Sequence, residues 1–283
     1  MSEPQLIFTG PSPKGAHRLE TFISCPRKFA LTYRTGLGGT EGSKHKEAAV
    51  AGKDDALIVG SLLHLGLAHH YARLKEVQQG GNPDYYYKPL DAINHMAELM
   101  KWNSHGYLDN VNSTFEAYLY HFRNEKLKIV AVEELLTANI NGHDYSGRTD
   151  LMVEDSNGMV WIWDHKSCAR YTKEKHEEYS LSIQMNGYKM LGRAAFGDRF
   201  AGIRLNYLQH GDTKRFIRQD AESTPGMEAS FPDLVTHVES QIATLTREKP
   251  DVMTWPKQPS YMTCMGRYKG STCPFIENCK WRA

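Results

Sequence analysis

Two aspartates and a lysine in the stretch GRTDLMVEDSNGMVWIWDHKS, residues 147–167, have the types and spacing to hold a hard cation beside an ammonium group. Side chains alternate faces along a strand, so Val160, Ile162, Asp164 and Lys166 share one face while Trp161, Trp163 and His165 take the other. Asp150 opposes Asp164 if the hairpin turns on a three-residue loop, Ser156-Asn157-Gly158, with Gly158 left-handed. A two-residue Asn-Gly turn shifts the pairing by one and sends the two acids to opposite faces. Carboxylates opposed at about 5 Å repel by roughly 3 kcal/mol at an effective dielectric of about 20. A proton or a cation must neutralise such a pair, and oxygen ligands favour Mg²⁺ or Mn²⁺. Lys166 would then face the ion's outer side, where an ammonium holds an attacking water or neutralises a phosphoryl oxygen. The competing reading is a surface hairpin whose three charges form a solvated salt bridge.

Further candidates lie outside the hairpin. Glu133 in KIVAVEELL could add a carboxylate; Glu134 is the alternative, and strand parity alone does not choose. His64 stands in the amphipathic segment GSLLHLGLAHH, where His69 and His70 read as histidines satisfied within their own helix. Gln184 and Tyr188 are four apart and share a helix face, where they could orient the lysine or a phosphate. Five cysteines in a chain without a secretory signal are not expected to form disulfides. Cys25 stands near the start, Cys264, Cys273 and Cys279 crowd the end, and Cys168 reads as a small buried residue.

Helices and strands must bring these groups together. HRLETFISCPRKFALTYRTGL has helical spacing with a break at Pro26. Residues 36–54, rich in Gly and Lys, read as a mobile loop, and helices are expected at about 58–79, 89–103 and 112–127. From residue 128 the period changes to two: KIVAVEELL is a strand, and YSGRTDLMV and MVWIWDHKS form a hairpin. One helix, EYSLSIQMNGYKMLGRAAF, follows. A second hairpin comes next, GIRLNYLQH and RFIRQD around GDTK, then a helix over PDLVTHVESQIATLTREK and the cysteine tail. This order predicts an α/β or α+β core with helices on a mixed sheet.

The 283 residues suit one large domain, and 40% hydrophobic with 24% charged residues marks a folded chain. No apolar run reaches the length of a membrane span, and the N-terminus lacks a basic and apolar leader, so a cytoplasmic location is expected. A net charge of +1 does not announce a nucleic-acid binder, although basic residues can be confined to one groove. No GxxxxGK[ST] stretch occurs, which excludes a P-loop ATPase. Aromatic and basic residues interleave in RYKGSTC and CKWRA, as on a strand-binding surface or a solvated tail.

A helix histidine, a glutamate, GRTD, DHK and QxxxY, in this order, resemble the RecB-like nucleases of the PD-(D/E)xK superfamily. The likeness is greatest to their iron–sulfur branch, which includes CRISPR-adaptation exonucleases and many phage proteins, and it runs from Cys25 to Cys279. It implies one nuclease domain over 1–283 with a restriction-endonuclease-like α/β core: a central mixed sheet flanked by helices at about 128–249, a helical part at about 55–127, and a cysteine tail. His64, Asp150, Asp164 and the backbone carbonyl of His165 would bind Mg²⁺ or Mn²⁺. Glu133 would assist there, Lys166 would act on the water or transition state, and Gln184 and Tyr188 would support the site and the DNA phosphates. Cys25, Cys264, Cys273 and Cys279 would hold a [4Fe–4S] cluster that pins the two ends of the chain, with zinc as the alternative.

The activity implied is exonuclease action on single-stranded DNA, in an oligomer or with an integrase or recombinase partner. The rivals are a catalytically weak DNA-binding partner of the same fold and a zinc-stapled interaction protein.

Overall fold

Five strands carry the period-two segments, and helices cover both faces of the sheet they form. The computed structural model describes residues 4–7, 9–35, 55–102, 104–222, 224–265 and 272–281. In chain order these form α1 (Ala16–Ser24), α2 (Pro26–Tyr33), α3 (Asp55–Gln79), α4 (Pro89–Leu99) and α5 (His105–His121). Next come β1 (Lys128–Ile140), β2 (His143–Glu154), β3 (Val160–Cys168), α6 (Lys173–Ser180) and α7 (Ile183–Phe196). The chain continues through β4 (Phe200–Gln209), β5 (Arg215–Asp220), α8 (Pro225–Glu248), α9 (Tyr261–Cys264) and α10 (Ile276–Trp281).

The strand order is β1-β2-β3-β4-β5, antiparallel except for β3 and β4, which run parallel. A parallel pair needs a crossover, and α6 and α7 supply it. This mixed sheet flanked by helices is the restriction-endonuclease-like α/β fold. Alternation along β2 and β3 separates two cores. Met152, Val160 and Ile162 pack with Leu19, Met185 and Phe231 from α1, α7 and α8. Leu151, Val153 and Trp163 face the other way, against Leu62, Tyr71 and Phe115 from α3 and α5. Each large apolar side chain so buried contributes about 1.5–3 kcal/mol before the entropy of ordering.

Local departures have local causes. The expected 112–127 helix runs instead over His105–His121; after Phe122 caps it, a tight turn leads into β1. The segment read as one helix before β4 is two, because the Ser182 hydroxyl accepts from the Met185 N–H and starts α7 afresh. β1 and β2 form an additional hairpin through Asn141-Gly142, whose φ values of 49° and 86° suit a two-residue turn that twists with its strands. Pro26 does open a new helix, with the Cys25 Sγ accepting from the Lys28 N–H at 3.4 Å. The 36–54 stretch and residues 266–271 of the basic tail lie outside the described residues. Among the described residues, no helix is long and apolar enough to cross a membrane.

Candidate active site

The β2–β3 ladder pairs Leu151 with Trp163 and Glu154 with Val160, the register that sets Asp150 opposite Asp164. The three-residue loop is the one that forms. Gly158 sits at φ 78°, the Asp155 N–H donates to the Met159 carbonyl, and the Asp155 carboxylate accepts from the Asn157 and Met159 N–H groups. Backbone pairing ends at Leu151 and Trp163. Beyond that point the Asp150 carboxylate itself accepts the His165 N–H at 2.6 Å, and β3 stays in place through its parallel ladder to β4.

The two acids and the lysine share one neighbourhood. Lys166 Nζ lies 2.7 Å from Asp164 Oδ2 and donates to Gln184 Oε1 at 3.0 Å. Gln184 donates through Nε2 to the Tyr188 oxygen at 3.1 Å, and the Tyr188 hydroxyl donates to the Arg148 carbonyl. A fixed amide orientation therefore presents oxygen, not nitrogen, to the ammonium. His64 Nδ1 comes within 3.5 Å of Asp150 Oδ2. The choice between Glu133 and Glu134 is made by the backbone. Glu133 takes a left-handed φ of 51° in mid-strand, drops out of the ladder opposite Asp150 and lines the site cavity, while Glu134 is exposed. Such a conformation costs a non-glycine residue about 1–3 kcal/mol and clusters at functional sites; the Arg148 guanidinium holds it by donating to the Glu133 carbonyl at 2.8 Å.

Electrostatics explain the pairing. Asp164 is 1% exposed. Burial raises the Asp150 carboxyl; His64 opposes that and Asp164 adds to it, leaving it above the usual carboxylate range. Burial, then Asp150, raises Glu133 further, with Arg148 opposing and Asp164 adding to the rise. Burial works against the Lys166 ammonium, but Asp164 and then Asp150 outweigh it and hold its pKa above the ordinary value. Among the described residues, no three His, Cys, Asp or Glu side chains stand at metal-binding spacing. Asp164 turns instead to Lys166, and Asp150 to the His165 N–H. The donor set still fits a hard divalent ion: carboxylate oxygens and an imidazole nitrogen, buried and mutually repelling, are the groups a cation would relieve.

Sequence reasoning missed several neighbours. Glu20 on α1 lines the same cavity, about 310 Å³ in volume, and feels Lys166; burial raises its carboxyl. Behind the sheet, the Asn206 amide donates to His165 Nδ1 at 2.9 Å and to the Tyr118 oxygen at 3.0 Å, while Arg218 donates to Asn206 Oδ1 and to Tyr118. Tyr71 stacks on His165. This network braces the β3 backbone whose N–H grips Asp150. Arg148, inside the quoted GRTD, was the one neighbour with a visible signal: a basic residue two positions from an acid on the same strand lies on the same face.

The cysteines are all unbridged. Cys25 is buried where α1 meets α2, the Cys273 N–H donates to the Cys264 carbonyl at 2.8 Å, and Cys279 lies in α10. Burial raises the Cys273 thiol, and Cys279 and Cys25 are both near enough to add to the rise. Cys168 is buried as the last residue of β3.

A family profile described as the PD-(D/E)XK nuclease superfamily matches residues 15–280. Among solved structures, a candidate exonuclease from Eubacterium rectale is similar at 11% identity and a TM-score of 0.48, over 88% of this chain and 91% of that one. A protein designated SSO0001 is similar at 14% identity and a TM-score of 0.32, over 63% of this chain and 74% of that one. No curated protein matches the sequence.

Proposed function

The chain belongs to the PD-(D/E)XK nuclease superfamily, and from that premise we propose that it is a Mg²⁺- or Mn²⁺-dependent deoxyribonuclease, an exonuclease acting on single-stranded DNA. One observation carries the reading: Asp150, Asp164 and Lys166 converge, and the Lys166–Gln184–Tyr188 chain fixes the ammonium among the acids. His64, Asp150 and Asp164, with the His165 carbonyl, would hold the ion. When bound, the ion supplies positive charge against phosphoryl oxygens and makes water a better nucleophile near neutral pH.

The chain's own groups do the rest. Asp164 and Gln184 hold the Lys166 ammonium in place, where it would orient an attacking water or neutralise the phosphate. Glu133, whose carboxyl burial and Asp150 raise above the usual carboxylate range, would add a further oxygen to the set that holds a cation. Tyr188 and Arg148 keep the Gln184 amide and the Glu133 backbone in place.

The test is cleavage of end-labelled single-stranded DNA. Cleavage should require Mn²⁺ or Mg²⁺ and stop with chelator. Lys166→Ala should lose on the order of 10³-fold in kcat while still binding DNA; undiminished cleavage by that variant overturns the mechanism. The cysteine set is proposed to hold a [4Fe–4S] cluster on the strength of the sequence resemblance, since Cys25, Cys264, Cys273 and Cys279 fall in the order that it implies. Metal analysis of anaerobically purified protein decides between iron with sulfide and zinc.

A further inference from the structure

We infer that Asn206 is a positioning residue for the metal site, acting through the His165 imidazole on the groups that would hold the ion. That role rests on the nuclease reading for the ion, and on the contacts behind the sheet for everything else.

Sheet register sets up the contacts. His165 on β3 pairs with Asn206 on β4, which pairs with Arg218 on β5, so the three stand side by side on the face toward α3 and α5. Arg218 carries donors only, so its Nε–H, with Nε 3.3 Å from Asn206 Oδ1, fixes which end of that amide is oxygen. The two Nδ2 protons then go to His165 Nδ1 at 2.9 Å and to the Tyr118 oxygen at 3.0 Å. Arg218 is itself held by Glu125, by the Tyr118 oxygen at 3.0 Å, and over the Phe122 ring, 3.6 Å from its centroid. An amide with every polar atom committed cannot turn over. His165 Nδ1 must therefore accept, and the ring proton sits on Nε2.

That tautomer is imposed by the network. His165 is 2% exposed and its Nε2 has no partner among the described residues, a costly state for a buried N–H. Asn206 is 0% exposed, and a buried network built on a cation often stabilises a fold no better than apolar packing of the same volume. What it supplies here is a fixed geometry. His165 touches or provides three of the groups proposed for the ion. Its N–H grips Asp150 Oδ2 at 2.6 Å. Its ring meets His64 edge to face, centroids 6.0 Å apart, and stacks on Tyr71 at 5.8 Å. Its carbonyl is the further ligand. Outer partners that orient metal ligands are worth about 10–100-fold in affinity.

The experiment is calorimetric titration of Mn²⁺ into the full chain without DNA. Asn206→Leu, similar in shape but without the amide, should weaken binding about 10–100-fold. His165→Phe keeps a ring beside Tyr71 and His64 but removes Nδ1, and should weaken binding as well. The double variant should be no worse than the worse single one. If the leucine variant fails to fold, Asn206→Val, β-branched and suited to a strand, takes its place with the same expected loss. An Asn206 that is merely structural would lower the melting temperature in EDTA and leave Mn²⁺ affinity unchanged, which overturns the role; so do additive losses in the double variant. In the unaltered protein, imidazole ¹⁵N spectra should show His165 protonated at Nε2 and accepting at Nδ1, and the reverse pattern also overturns it. Cleavage of single-stranded DNA by the same proteins separates the two readings. Cleavage by the unaltered protein, with Mn²⁺ affinity indifferent to Asn206, sinks the positioning role alone. Asn206-dependent Mn²⁺ binding without any cleavage keeps that role while the nuclease reading falls.

Discussion

Lys166 holds its ammonium between Asp164 and Gln184, with the Tyr179 ring 5.1 Å from Nζ. Its orientation thus depends on an amide held in turn by one tyrosine hydroxyl. Tyr188→Phe removes that hold while keeping the ring, so kcat should fall about 10–100-fold with KM little changed; an equal loss in KM would show that Tyr188 serves binding instead. The acids make a second prediction. Glu133 and Asp150 bind protons more tightly in the fold than in the unfolded chain. As pH rises from the ordinary carboxylate value of about 4, the unfolded chain loses those protons first. Stability of the metal-free protein therefore falls as pH rises through the window up to the folded values. The melting temperature in EDTA should drop between about pH 5 and pH 8, Mn²⁺ should restore more of it at the higher pH, and Glu133→Gln should flatten the dependence. A rising or flat curve for the unaltered protein contradicts this electrostatic account.

Elements deliver these residues through turns and tight contacts. Gly158, at φ 78° in the β2–β3 loop, keeps the register that opposes the acids. Gly158→Ala should cost about 1–2 kcal/mol, the penalty for a Cβ in the left-handed region, seen as a lower urea midpoint with an unchanged slope. Gly147 allows α7 to lie against β2: a Cβ there would come 2.6 Å from Leu191 and 2.9 Å from the Tyr188 ring. The extra β1–β2 hairpin extends β1 to 13 residues and carries Glu133 to its place opposite Asp150. Its Asn-Gly signal was present, but the flanking run TANINGHDYS has too little apolar alternation to announce two strands.

At the scale of the whole molecule, α1 and α2 meet the segment that follows α8. Trp255 is 0% exposed, stacks on Phe29, meets Phe22 edge-on, and offers its carbonyl to Arg27 at 3.0 Å. That contact holds the segment before the cysteine tail against α1 and α2. Trp255→Ala should destabilise the fold by about 3–5 kcal/mol, measured by denaturant unfolding. It should also loosen the approach of Cys25 to Cys273. If those thiols hold a cluster, Cys273→Ser should lose iron and sulfide together and lower the melting temperature, because the cluster closes a loop of nearly the whole chain. Equal iron content in the variant and the unaltered protein removes Cys273 from the ligand set.

Sequence alone determined what depends on short-range geometry. Strand alternation put Asp164 and Lys166 on one face, Ser156-Asn157-Gly158 could form the loop that opposes Asp150 to Asp164, and a four-residue spacing set Gln184 beside Tyr188. These follow from backbone sterics within a few residues. The tertiary structure decided which register and which rotations occurred. It chose Glu133 over Glu134 by a strained φ within a ladder, brought Glu20 and residues 9–12 to the cavity from over a hundred residues away, and placed Asn206 and Arg218 behind β3. Contacts between distant segments depend on which faces pack together, and that is a property of the assembled cores, not of any local pattern of side chains.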